Sequence, residues 1–164
     1  MTTLKLTRSQ LESALLAAAN ALRGPVDPAD FKTYVFPVLF FKWISDNWDY
    51  QHAAAVAEWG DELTEEIEDA DFQPFVIPEG CHWGDVHNTS FHIGPKLNMI
   101  LQRVQQANPS LAGVFGDANW GNKERLPEPA LVALLDAFHS ITLDPASVDG
   151  DMLGAAYEYL LREF

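Results

Sequence analysis

Only one cysteine, Cys81, occurs in 164 residues, so no disulfide within the chain holds the fold together. That usage fits a reducing compartment, and a cytoplasmic location is the expectation. Cations are scarce as well. Ten Lys and Arg stand against 24 Asp and Glu, a formal charge of −14. A surface of that sign repels nucleic acid as a whole, so any DNA contact must come from a local basic patch or be shared with another domain or subunit. No apolar run approaches the roughly 18 residues that a membrane span needs. The longest, residues 34–41, is interrupted by Pro37 and closed by Lys42. The opening MTTLKLTRSQ has neither the apolar core nor the small-residue cleavage site of a secretory signal.

The short signatures of common chemistry are missing too. There is no Gly-x-Gly-x-x-Gly after a strand, no Walker loop, no Gly-x-Ser-x-Gly elbow and no His-Glu-x-x-His. Nothing demands an enzyme, and no catalytic, cofactor-binding or metal-ligating residue is assigned.

What remains is the composition of one ordinary soluble domain, 48% hydrophobic and 21% charged, long enough to bury roughly 70% of its unfolded surface. The apolar spacing predicts a mainly α fold, a helical bundle with a short extended segment near residues 72–78. Thr7 and Gln10 have the spacing of a capping box, and Leu11, Leu15, Ala18 and Leu22 follow on one helical face until Gly24 and Pro25 stop it. Asp27 and Pro28 open a second, aromatic segment, expected to be the central buried helix and to continue to Gly60. Pro37 removes one backbone donor inside it, which predicts a kink or break near Lys32 and Thr33. The run FQPFVIP at 72–78, bracketed by prolines and rich in β-formers, reads as extended in the manner of an edge strand. Pro95 opens a helix carrying Leu97, Ile100, Leu101 and Val104, and Pro127 opens another carrying Leu131, Leu134, Leu135 and Phe138. Asp149 or Asp151 is expected to cap a last helix whose Leu153, Ala156, Tyr157, Leu160, Leu161 and Phe164 keep helical spacing to the final residue. It reads as a helix cut before its continuation.

Three clusters admit chemistry. Seven carboxylates between Asp61 and Asp71 form a solvated face or, less simply, a divalent-metal cage, although no calcium-loop pattern is visible. Cys81, His82, His87 and His92 have zinc-ligand chemistry at a spacing that suits scattered histidines better. The aromatics Phe31, Tyr34, Phe40, Phe41, Trp43 and Trp48 fit a packed core or a base-stacking platform; only Lys32 and Lys42 accompany them. Ten residues apart, those two lysines share a helical face if Pro37 does not rotate it.

The run LLAAANALRG at 15–24, DPADFK at 27–32, VFPVLFFK at 35–42 and Ile44-Ser45-Asp46 resembles the N-terminal domain of the modification subunit of type I restriction-modification systems. Ile93-Gly94, NPSLAGVF at 108–115 and DMLGAAYEYLL at 151–161 follow the same family in order. The resemblance implies that residues 1–164 are a single helical accessory domain that precedes a catalytic domain binding S-adenosylmethionine in an adenine-N6 DNA methyltransferase. It implies no cofactor within this stretch. Its partners would be a specificity subunit, a second modification subunit and double-stranded DNA, with the restriction subunit a further one. The domain would help the assembly close on DNA through a few phosphate contacts, which position without reading sequence. Arg23, Lys32 and Lys42 in the matching segments, with Lys123 and Arg125 in the polar loop that follows, are the candidates for them. The competing expectations are a protein-interaction module that never touches DNA and an independent acidic metal- or ligand-binding enzyme.

Overall fold

The computed structural model describes residues 6–116, 118–144, 146 and 158. Among them the chain forms six α-helices and no strand. Helix α1, Arg8–Leu22, begins with the capping box: the Thr7 hydroxyl accepts from the Gln10 amide at 3.1 Å and the Gln10 side chain accepts from the Thr7 amide at 2.8 Å. Gly24 ends it in the left-handed region, φ +99°, where a side chain would be strained. Asp27 then accepts from the Ala29 amide over a single 3₁₀ turn, Pro28–Asp30, which leads into α2, Phe31–Trp59. Next come the acidic turn Gly60–Glu62, α3 (Glu65–Asp71), α4 (Trp83–His87), α5 (Ile93–Ala107) and α6 (Glu128–His139). The helix expected over the last residues of the chain lies outside the described residues.

α1 lies against α6 in the most extensive helix pairing, and α2 touches α1, α4 and α6. Leu15, Ala18, Leu22, Val35, Val38, Phe41, Leu97, Ile100, Leu134 and Phe138 are fully enclosed between them. Leu15, Ala18, Leu22, Leu97, Ile100, Leu134 and Phe138 are positions that helical spacing predicts, because a stripe repeating every three to four residues can be hidden only against another helix.

The expected break at Lys32 and Thr33 does not occur, for α2 runs unbroken through Pro37. Proline removes one hydrogen bond, the one to the Thr33 carbonyl four residues back. Burial of Val35, Val38 and Leu39 on the inner side outweighs that loss, since enclosing each such side chain stabilises by about 1.5–3 kcal/mol.

Residues 72–78 form the expected non-helical segment between helices, without becoming a strand. The segment is irregular, and its backbone at Val76 is satisfied by one side chain. Asn108 accepts from the Val76 amide at 2.8 Å and donates to the Val76 carbonyl at 2.7 Å, so a single buried amide takes the place of a neighbouring strand. Phe75 packs edge-on against Trp43 at 5.6 Å and Ile77 is buried, which fixes the segment to α2 and the core.

Candidate functional site

The loop 118–126 crosses the start of α2, and its position is set by asparagines. Asn98 on α5 donates to the Asn119 side chain at 3.0 Å and accepts from the Trp120 amide at 2.9 Å. Trp120 is thereby driven into the interior, 3% exposed, with its ring edge-on to Tyr34 at 5.3 Å. The approach leaves no room for a side chain on α5: a Cβ on Gly94 would overlap the Trp120 carbonyl, whose carbon lies 2.8 Å from where that Cβ would be.

Between this loop and the first turn of α2 lies an open cleft of about 310 Å³, lined by Asp30, Thr33, Tyr34, Asn119, Asn122 and Arg125 among others. Asn122 accepts from the amides of Glu124 and Arg125, which turns the chain so that Arg125 faces the helix start. The Tyr34 hydroxyl is held above its ordinary pKa by burial first and the Asp30 carboxylate second, with the Arg125 guanidinium opposing both. At neutral pH the cleft therefore offers a neutral hydroxyl, two side-chain amides and a guanidinium beside a single carboxylate. Donors of that kind suit an oxyanion such as a phosphodiester.

The five candidate cations separate. Arg125 lines the cleft, whereas Lys32, in the first turn of α2, is not among its lining residues. Lys123 belongs to an adjoining crevice with Gly94, Pro95 and Trp120, and Arg23 lies exposed at the end of α1. Among the described residues these four form no ion pair. Lys42 is different, for it is buried while Lys32 is only partly so. It is 4% exposed, its Nζ donates to Asp46 at 2.5 Å and its ammonium lies 5.5 Å from the centre of the Trp83 ring. The same Asp46 oxygen accepts from the Leu143 amide at 2.8 Å. An ammonium enclosed in this way is a structural tie and has no surface to give a phosphate.

The aromatics sort with the core. Phe31, Tyr34 and Phe41 are buried, while Phe40, Trp43 and Trp48 are half-buried against the same cluster and form no stacking platform. The zinc-like set does not converge. Cys81 is enclosed, and burial pushes its thiol up. His82 meets the Trp48 ring edge-on, His87 stacks on His139 at 3.5 Å, and His92 lies at the start of α5 with φ +53°. Among the described residues no group of three or more His, Cys, Asp or Glu is arranged to hold a metal ion. Of the carboxylates at 61–71 only Glu68 is buried. His52 Nδ1 lies 2.9 Å from both of its oxygens, and the Gln73 side chain donates to it at 2.7 Å. No described helix is long and apolar enough to cross a membrane.

Asn98, Asn119 and Asn122 were not among the candidate residues. The polar Asn-Trp-Gly-Asn sequence at 119–122 was their only signal, and the pairing with Asn98 spans more than twenty residues. A family model described as the HsdM N-terminal domain matches residues 11–138.

Proposed function

The chain belongs to the HsdM N-terminal domain family, the N-terminal part of the modification subunit of type I restriction-modification systems, and from that premise we propose that it is a DNA-positioning and assembly domain. Its part is to grip duplex phosphate while a separate domain of the subunit does the chemistry. In the parent enzyme that chemistry is adenine-N6 methylation with S-adenosylmethionine in the cytoplasm. The specificity subunit and a second modification subunit are the partners, together with duplex DNA and, in the nuclease form, the restriction subunit. A base inside a duplex must be rotated out of the stack before it is methylated, and phosphate contacts away from the flipped base hold the duplex during that step.

The observation that carries the reading is the cleft beside the start of α2, which Arg125 lines together with Tyr34, Asn119, Asn122 and Asp30. It is a small donor-rich site on a chain of charge −14. The reading assigns phosphate contact to Arg125 and Lys32, with Lys123 and Arg23 at its margins, and no longer to Lys42.

The test is a mobility shift across a salt series with the complex of modification and specificity subunits. Arg125→Glu and Lys32→Glu are expected to weaken binding equally on cognate and unrelated duplexes, and to lower the log–log salt slope by about one for each phosphate that no longer meets a cation. The 164-residue chain alone should bind weakly, with salt sensitivity and without sequence preference. Tight sequence-specific binding by that chain overturns the reading. Unchanged DNA affinity of the variant complex, with assembly intact, favours the second reading, an interaction module without DNA contact. The specific support for that alternative is the burial of Lys42, which leaves one cation fewer for the duplex.

A further inference from the structure

Exposed apolar surface gathers at the far end of α2. Tyr50, Val56 and Trp59, exposed by 41%, 45% and 37%, all lie in its last ten residues. Only Ala55 is buried in that stretch, and Ala53, Ala54 and Ala57 are open to solvent as well. Ala53, Val56 and Trp59 follow at intervals of three, the spacing that makes neighbours on a helix surface. A helix that ends in a valine and a tryptophan, each more than a third exposed, leaves an apolar face that the described residues cover only in part.

The charge around that face has one sign. Between Lys42 and Lys96 the chain has no Lys or Arg, and 12 of its 24 carboxylates fall there. Glu58, Asp61, Glu62, Glu65 and Glu66 flank or directly follow the apolar row, and all five are exposed. They are held in place rather than carried on a loose loop. Glu68 anchors α3 to α2 through His52, and the Gln73 side chain ties it to the Trp48 carbonyl at 3.1 Å.

We propose that this end of α2, with α3, docks a basic amphipathic segment of a partner protein. Its apolar side chains would cover Val56 and Trp59, and its Lys and Arg would meet the surrounding carboxylates. Charge complementarity selects that occupant. A second copy of this chain would bring the same negative field, and a nucleic acid would be repelled. The face lies a helix length of roughly 40 Å from the cleft at the other end of α2, several times the Debye length of about 8 Å in physiological salt. Both ends can therefore be engaged at once, and this inference does not depend on the duplex reading.

The experiment measures fluorescence anisotropy of a labelled amphipathic Lys/Leu helical peptide with the 164-residue chain at physiological ionic strength. A Glu/Leu twin and an oligolysine of equal charge serve as controls. The Lys/Leu peptide is expected to bind, the Glu/Leu twin to show no binding and oligolysine to bind at least about tenfold more weakly, because only the first supplies both apolar contact and cations. Val56→Ser with Trp59→Ser should lower affinity about tenfold, and Val56→Ser alone, at the more open position, should lower it if the pair disturbs folding. Glu62→Lys with Glu66→Lys should do the same. Glu12→Lys with Glu124→Lys changes net charge equally but elsewhere and should shift affinity less than about twofold. Arg125→Glu should leave it unchanged. Equal binding of oligolysine, equal effects of the two charge reversals or loss with Arg125→Glu would overturn the proposal. So would sedimentation showing a dimer that disappears with Val56→Ser, since a second copy would then be the occupant.

Discussion

The two ends of α2 are built on opposite terms. Its first half is enclosed: Val35, Val38 and Phe41 have no exposed surface, and α1, α6 and the Trp120 loop close over it. Its last ten residues bury one alanine and leave Val56 and Trp59 in water. The charges divide the same way, with Lys32 and Arg125 at the beginning and Glu58, Asp61 and Glu62 at the end. The net charge of −14 is therefore concentrated toward the far end of α2, while the cleft end mixes Arg125 with Asp30. Glu58 sits in the last turn of α2, where the helix dipole disfavours a carboxylate, so the acidic end is not arranged for the stability of α2. A surface kept against local stability is what a binding face looks like.

The middle of α2 should be the hardest place to alter. Asp46→Ala leaves Lys42 buried without its carboxylate and the Leu143 amide without an acceptor, and a loss of about 3–5 kcal/mol is expected in urea unfolding. A single transition that takes both ends of α2 together would show that they share one cooperative unit, and two transitions would break the comparison into separate bodies. Asn98→Ala should cost less, about 1–3 kcal/mol, because it strips the acceptor from the Trp120 amide and the donor from Asn119. Its effect should be confined to the enclosed end, with amide exchange accelerating in residues 118–126 while α3 keeps its protection.

A smaller and pH-dependent effect is expected where α4 meets α6. Trp83 Nε1 donates to His139 Nδ1 at 3.1 Å, which requires that nitrogen to be unprotonated, and His87 stacks on the same ring while contacting Asp136 at 3.0 Å. Burial holds the His139 pKa below its usual 6.5, with His87 and Lys42 adding to the shift and Asp136 and Asp46 opposing it. A depressed histidine contributes fully above 6.5, where folded and unfolded chains are both neutral. The contribution is lost as pH falls below that value and the unfolded chain takes up the proton first. The melting temperature should drop between about pH 7.5 and about pH 5.5, and His139→Gln should flatten that dependence. The smallest change belongs to the open end: Glu66→Lys should move unfolding stability by no more than about 0.5 kcal/mol while altering peptide binding. A large destabilisation there would mean that the acidic face serves folding.

The elements whose causes lie within a few residues were legible. The Thr7 capping box, the Gly24 stop, the turn at Asp27 and Pro28 and the helix after Pro127 all appear as their local chemistry requires. A break near Lys32 and Thr33 is the expectation that fails in the backbone, and the non-helical run expected at 72–78 forms without pairing as a strand; at both places distant partners decide over a local preference. In the first case the buried face of α2 carries the helix through a missing hydrogen bond. In the second Asn108, 32 residues away, takes the place of a neighbouring strand. At the site, Lys42 and Asp46 have the spacing of a routine surface pair, and nothing within the helix distinguishes that pair from one in water.

From the sequence alone follow the helical class, the start of α1 and the turn before α2, and the resemblance to a modification-subunit domain, because periodicity, caps and short matched segments are properties of neighbouring residues. Tertiary structure decided which cations reach solvent, which carboxylates are anchored and where the cleft opens. Those depend on what lies across the fold: Trp120 over Tyr34, Asp46 under Leu143, Glu68 against His52. Burial and electrostatic environment are set by contacts between residues far apart in the chain, and only the packed molecule specifies them.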